Sequence, residues 1–197
     1  MRIWIDVGAY HGEYTLKPAL ENQDLTVYAF EPGIEQAAAL SGQAPNYIVM
    51  PFAVSDVDGL AKLHINNNGY QNSLLPFDGQ AQPLWIPAIG AVRTLEIREV
   101  KTVRLDSFLN QSGIAQVEWL KVDTQGNDLA VLRGCGERIR DIGKVTVEVD
   151  VAAQRCYLGS APKEEFLNFL SAAGFRLVTT QKQTSDLEEN LTFERIP

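Results

Sequence analysis

The run Arg2-Ile3-Trp4-Ile5-Asp6-Val7, delivered straight into Gly8-Ala9-Tyr10-His11-Gly12, decides how this chain is read. A short apolar run that ends at glycines reads as a strand entering a tight turn. The unit recurs at Leu25 to Phe30, which ends in Glu31-Pro32, and beyond it Ile34, Ala37, Ala38 and Leu40 share one helical face. Tyr47 to Val54 reads as a third strand, and Asp56-Val57-Asp58-Gly59 as a turn. Trp119 to Val122 is a fourth strand ending at Asp123, after which Leu129, Leu132, Cys135 or Gly136, and Ile139 repeat at helical spacing. Lys144 to Val149 is a fifth strand. Phe166, Phe169, Leu170 and Ala173 mark a helix stopped by Gly174, before strands at Phe175 to Thr180 and Leu191 to Ile196.

Strands alternating with helices predict an α/β fold, a mostly parallel sheet covered by helices on both faces. Ligands in such sheets bind outside the carboxyl ends of the strands, where the strand order reverses. One segment breaks the rhythm. Leu60 to Ile65 and Arg93 to Val103 alternate like antiparallel strands around a stretch carrying Pro76, Gly79, Pro83, Pro87 and Gly90. It reads as an inserted β-ribbon and flap over residues 60–104, with 66–91 its long irregular part.

Composition bounds the function. At 197 residues with 45% hydrophobic and 21% charged content, the chain can bury a core without disulfides. Twenty-five acidic against 17 basic residues give a net charge of −8, which repels a phosphate backbone and speaks against nucleic acid as partner. No run approaches the roughly 18 apolar residues of a membrane span. Cys135 and Cys156 lack zinc-ligand spacing, so no metal is assigned and a reducing, cytoplasmic setting is expected.

Carboxylates fall at the strand ends: Glu31, Asp123, Glu148 and Asp150, with Asp6 one residue inside the first strand. Any one of these is ordinarily a solvated loop residue or a helix N-cap; several on one sheet edge suggest a site. Asp6, set in an apolar run, needs a partner, either a cationic ligand or the amides of the Gly8 to Gly12 turn. The turn does not match the G-x-G-x-x-G of dinucleotide folds. Tyr10 replaces the second glycine, and Asp6 and Glu13 bring negative charge that a pyrophosphate would not welcome. Glu31 stands about twenty residues beyond the turn, where a carboxylate accepts the hydroxyls of a ribose. An adenosine joined to a zwitterionic amino acid fits these features, and S-adenosylmethionine is such a molecule.

The chain also resembles the FkbM-type methyltransferase family, within the class I Rossmann-like methyltransferases. The resemblance is carried by residues 6–12, Ala29-Phe30-Glu31-Pro32, residues 53–59, Ser73-Leu74-Leu75, and Arg104-Leu105-Asp106-Ser107-Phe108. It continues through residues 120–126, Val131-Leu132-Arg133-Gly134 and Val147-Glu148-Val149. It implies a single class I domain over 1–197, a Rossmann-like doubly wound sheet whose last strand is antiparallel, and methyl transfer from S-adenosylmethionine. The acceptor would be a hydroxyl on a sugar, glycan or similar small molecule. By this likeness Asp6, Gly8, Ala9 and Gly12 line the methionine end, Glu31 and Pro32 the ribose, and Ala53 and Val54 the adenine; Asp123, ending the strand next to the first one, is expected nearest the methyl position. Pro18 falls inside the expected first helix, which should start late or kink. No helices precede the first strand in this sequence, so cover is expected from elsewhere in the chain or from a partner.

Methyl transfer to an alcohol needs alignment and a group to take the proton. Asp123, Glu148 and His64 are the candidates, although a lone histidine on the polar face of a strand is ordinarily a surface residue. Asp123 and Glu148 could share a divalent metal, but a third ligand at clear spacing is missing. In the flap, Asn68, Tyr70, Asn72, Ser73 and Trp85 offer amides, hydroxyls and aromatic faces suited to a carbohydrate, if the stretch is not simply a mobile loop. Two other readings remain: a short-chain NAD(P) oxidoreductase, for which no Tyr-x-x-x-Lys pair exists, and a non-catalytic cofactor-binding module.

Overall fold

The computed structural model describes residues 2–196. Its main sheet has seven strands, formed by β1 (Arg2–Val7), β2 (Leu25–Phe30), β3 (Tyr47–Met50), β7 (Val117–Val122), β8 (Ile142–Asp150), β9 (Phe175–Gln183) and β10 (Glu188–Arg195). Across the sheet they run β3-β2-β1-β7-β8-β10-β9. The pairs from β3 to β8 are parallel; β10 is antiparallel to β8 and β9, as expected of the last strand. Strand order reverses between β1 and β7, so the switch point lies there.

A smaller sheet, β4-β6-β5, is built from β4 (Ala53–Val54), β5 (Gly59–Asn66) and β6 (Thr94–Val103). The antiparallel β5–β6 ribbon is where the alternation placed it. The expected strand Tyr47 to Val54 is in fact two. Pro51 has no N–H to donate to a ladder, the chain turns with Phe52 N on Met50 O at 2.8 Å, and Ala53–Val54 leaves to pair with β6.

Helices α1 (Leu16–Glu21), α2 (Ile34–Leu40), α4 (Leu105–Ser112), α5 (Asp128–Arg133) and α6 (Lys163–Ala172) cover the sheet edges and faces. Helix α1 does start late: Pro18 lies in its first turn, where an N–H has no partner within the helix. The helix expected from Leu129 to Ile139 is shorter. It stops at Arg133 and continues as a 3-10 turn over Gly136–Asp141. Gly134 packs so closely on the neighbouring chain that an added Cβ would lie 2.2 Å from Ser55 O. The 66–91 stretch is not wholly irregular, since α3 (Gln82–Ile89) forms within it. Pro83 is tolerated in its first turn, and Trp85 sinks into a cluster with Ala81, Cys156 and Tyr157.

Alternation along β1 divides the core. Ile3, Ile5 and Val7 join Leu120, Val122, Val145 and Val147 in a large cluster. A smaller cluster holds Ala9, Ala19, Leu25, Val27 and Tyr47. Asp6 therefore faces the side opposite its apolar neighbours Ile5 and Val7.

Candidate active site

At the β1–β7 switch point the two strand exits nearly touch. Asp123 N donates to Val7 O at 3.0 Å. Gly8 adopts φ +79°, and a Cβ there would fall 1.8 Å from Asp123 O, so only glycine fits. A cavity of about 410 Å³ opens above this point, within the range of small-molecule sites. Its wall takes Gly8 from β1, Glu31 and Pro32 from β2, Ala53 and Val54 from β4, and Asp123 from β7. Glu148, Asn68, Tyr70, Asn72 and Ser73 also line it. Among the described residues, no lysine, arginine or histidine does.

Glu31 is 6% exposed and held rigidly. Its Oε2 accepts from Tyr10 N at 2.9 Å and its Oε1 from Gly33 N at 2.7 Å. Burial raises its pKa and these two amides oppose the rise. Tyr10 takes a left-handed φ of 45° to make this bond, and its ring meets Tyr70 at 4.2 Å. The Tyr70 hydroxyl donates to Glu13 at 2.8 Å, bringing the flap over the glycine turn.

Asp6, Ala9 and Gly12 lie below the cavity rather than in its wall. The partner that Asp6 needs is neither a ligand nor the turn. Lys121, its register partner on β7, places Nζ 3.2 Å from Oδ1, and Thr15 donates its hydroxyl to Oδ2. Ala9 packs in the smaller core cluster, and Gly8 N and Ala9 N both donate to Phe30 O. Gly12, at φ +71°, leaves room for the Tyr47 hydroxyl, which a Cβ would approach at 2.9 Å.

The far end of the cavity is acidic. Gln125, at φ 57°, uses its one amide nitrogen to donate to Asp123 Oδ1 and Glu148 Oε2, both at 3.0 Å. Its Oε1 accepts from the Tyr157 hydroxyl at 2.9 Å. Lys121 also lies 3.5 Å from Asp123 Oδ2. Burial, then the charges of Asp123 and Glu188, hold Glu148 well above the usual carboxylate range. Burial raises Glu188, which lines the same end, to about 7. Asp128 accepts from Thr124 N and Gly126 N, fixing the 123–128 loop beneath.

Two further expected site residues, His64 and Trp85, are also outside the cavity wall. His64 pairs by backbone with Ser73 on the small sheet, and its side chain is outside the cavity wall. Trp85 is fully buried, with Nε1 on Gln154 O at 2.8 Å, because its ring is the largest apolar surface the flap can hide. Ser73 lines the cavity, but its hydroxyl is engaged by Gln125 O at 2.7 Å and by Leu75 N. The amide oxygens of Asn68 and Asn72 accept from Tyr70 N and Asn66 N, so much of their polarity folds the flap.

Lys121, Gln125, Tyr157 and Glu188 were not singled out from the sequence. Lys121 had a signal: a lysine inside Trp119-Leu120-Lys121-Val122 needs a carboxylate beside it, as Asp6 needs a cation. The other three are brought in by loops and by the antiparallel strand.

Comparison with known families decides the identity, because the profile described as "Methyltransferase FkbM domain" matches residues 6–177. The chain belongs to this family. The matched span holds Glu31, Asp123 and Glu148 of the cavity wall, while Thr184 and Glu188 lie beyond it. The 31-O-demethyl-FK506 methyltransferase FkbM of Streptomyces tacrolimicus is 28% identical over 200 residues, covering 89% of this chain and 73% of that protein. The fold matches magnesium protoporphyrin IX methyltransferase (ChlM) from Synechocystis PCC 6803, solved with bound SAM, at TM-score 0.52 and 10% identity. That match covers 98% of this chain and 69% of the other. A fibrillarin/NOP5P complex matches at 0.51 and 14% identity, over 99% and 73%. The protein is a methyltransferase with a Rossmann-like fold, and its cofactor is S-adenosylmethionine. The residues present fit that cofactor: a buried carboxylate at the β2 exit, a side-chain-free position at Gly8, and a wall that, among the described residues, sets no lysine, arginine or histidine against a sulfonium cation. Among the described residues, no helix is long and apolar enough to cross a membrane.

Proposed function

We propose that this FkbM methyltransferase methylates a hydroxyl oxygen of a small hydroxylated molecule, a sugar, glycan or similar metabolite. The observation that carries the reading is the cavity's division. Glu31 stands at one end, and the Asp123–Gln125–Glu148 cluster at the other, with the switch point between them. The 31-O in the name of the Streptomyces relative supports oxygen as the acceptor.

When bound, S-adenosylmethionine supplies a methyl already activated on sulfur, so the chain's work is alignment and proton handling. Glu31 would hold the ribose hydroxyls with the lone pairs left free by Tyr10 N and Gly33 N. Ala53 and Val54 would flank the adenine, and Gly8 would let the backbone approach. Glu148 serves as general base, because burial and two acidic neighbours raise its proton affinity toward the working pH. Its second oxygen, free of Gln125, would take the proton of the acceptor hydroxyl and so leave that oxygen nucleophilic. Asp123, paired with Lys121, orients Gln125, which in turn fixes Glu148. Asn68, Tyr70 and Asn72 present their remaining polar atoms to the acceptor. The acidic wall and the net charge of −8 disfavour nucleic acid as the acceptor.

The test is transfer of labelled methyl from S-adenosylmethionine to a panel of polyols and glycosides, with the product's methyl position assigned by NMR. Methyl on oxygen, lost in Glu148→Gln, supports the reading. Methyl found on nitrogen or carbon alone overturns it.

A further inference from the structure

The cavity carries more negative charge than the chain balances. Glu13 is taken by the Tyr70 hydroxyl, Glu31 by two backbone amides, and Asp123 by Lys121. Among the described residues neither Glu148 nor Glu188 forms a salt bridge; Glu148 feels Lys121 only at longer range, and Lys121 is already paired with Asp6 and Asp123. Asp150 and Glu188 are register partners, as are Glu148 and Asn190, so Glu148 and Glu188 are diagonal neighbours on one face of the sheet. Glu188 stands on the third strand beyond β1. At roughly 4.8 Å per strand that is about 14 Å across the sheet, on the acceptor side of the switch point.

A second observation points the same way. Gln71 is 6% exposed and lines this cavity, and its Oε1 has no hydrogen-bond partner among the described residues. Its backbone carbonyl accepts from the Tyr157 hydroxyl, the group that also holds Gln125, so Gln71 adjoins the acidic cluster. An unpartnered buried acceptor beside two carboxylates without a salt bridge calls for a ligand that donates hydrogen bonds and carries positive charge. The turn before Glu188 is consistent with a built wall. Thr184, Ser185 and Asp186 run successively at φ 46°, 55° and 67°, a left-handed path that side chains resist, and Thr184 lines the cavity.

We propose that the acceptor carries an ammonium group as well as the hydroxyl to be methylated, and that Glu188, with Glu148 and Gln71 beside it, recognises that ammonium. The proposal rests on the oxygen-methylation reading above and narrows it to amino alcohols and amino sugars. Glu188 is thereby a specificity-determining residue. Phosphorylated and carboxylated acceptors are repelled.

Three probes of one ring size test it: trans-2-aminocyclohexanol, trans-cyclohexane-1,2-diol and trans-2-hydroxycyclohexanecarboxylate. Each is titrated calorimetrically into the full chain loaded with S-adenosylhomocysteine, and the methyl position of any product formed with S-adenosylmethionine is assigned by NMR. The amine should bind about tenfold tighter than the diol, the worth of a charge-assisted hydrogen bond, and the hydroxy acid weakest. Glu188→Gln should collapse the amine-to-diol ratio, and Glu188→Asp, which keeps the charge, should retain it. Equal binding of the diol, binding of the acid, no binding of the amine, or an unchanged ratio in Glu188→Gln overturns the proposal. Transfer to the diol oxygen without amine preference would do so while keeping the oxygen reading. Amine preference with methyl only on nitrogen would support ammonium recognition and remove the oxygen reading instead.

Discussion

Lys121 Nζ stands 3.2 Å from Oδ1 of Asp6, its register partner across the β1–β7 pair, and both side chains are almost wholly buried. The pair secures the two strands whose exits form the switch point, while a further contact ties Lys121 to Asp123 in the cavity wall. Burial by itself would lower the lysine's pKa, but Asp6, Asp123 and Glu148 outweigh it and raise it.

Breaking this pair should destabilise the fold more than replacing it. Asp6→Asn leaves a buried ammonium short of one partner and should lose about 3 kcal/mol in urea unfolding, whereas Asp6→Leu with Lys121→Met should lose less. Because the lysine's folded-state pKa is raised, its contribution is complete below the unfolded value of about 10.4 and fades as pH climbs beyond it. Wild-type stability should fall above that pH more steeply than that of the double variant. Parallel curves would remove the pair from the account.

Glu31→Ala should weaken S-adenosylhomocysteine binding by about 1–3 kcal/mol through loss of charge-assisted hydrogen bonds. Calorimetry on the folded variant checks it. Unchanged affinity would take Glu31 out of the cofactor site.

Glu148→Gln should lower kcat by about 10²–10⁴-fold, the usual range for a lost general base, while cofactor affinity stays within about threefold. Asp123→Asn should lower it less, since it acts through Gln125. The raised pKa of Glu148 means that its basic form accumulates only as pH rises above the normal carboxylate range. The acid limb of the wild-type rate profile should therefore vanish in Glu148→Gln. A retained acid limb would assign the proton to another group.

Glu188 keeps its proton to about 7 in the folded protein, against about 4.3 in an unfolded chain. A carboxyl whose folded pKa is raised opposes folding progressively as pH climbs between those values. Glu188→Gln should thus raise Tm more at pH 8 than at pH 5 in thermal melts. An equal change at both would mean that the charge is not penalised.

Tyr70→Ala should loosen the flap where it meets the glycine turn, since the ring contacts Tyr10 and the hydroxyl holds Glu13. Such aromatic contacts are worth roughly three- to tenfold in affinity, expected here in the Kd of S-adenosylhomocysteine and in faster hydrogen exchange over residues 66–75. Replacing all of residues 66–91 by a short linker is a poorer test, because it would remove the buried Trp85 from its cluster.

The parallel strands, the antiparallel ribbon and the carboxylates at strand exits were legible because they rest on local periodicity, which an apolar run and its bounding glycine carry within a few residues. Gly8, Glu31 and Asp123 could be placed on one edge for that reason. The third strand was misjudged because Pro51 divides an apolar run that looks continuous, and α3 was missed because two prolines mask a helix that burial of Trp85 supports. The partner of Asp6, the clamp of Gln125 on Asp123 and Glu148, and the arrival of Glu188 beside them depend on contacts between residues far apart in the chain. Those contacts are fixed by strand register and by loops in left-handed conformations. The chain's own pattern determined which strands form and which acids end them. Tertiary packing alone decided which acids are neutralised and which remain facing the cavity, because burial, and the charges it brings together, exist only once the sheet has closed.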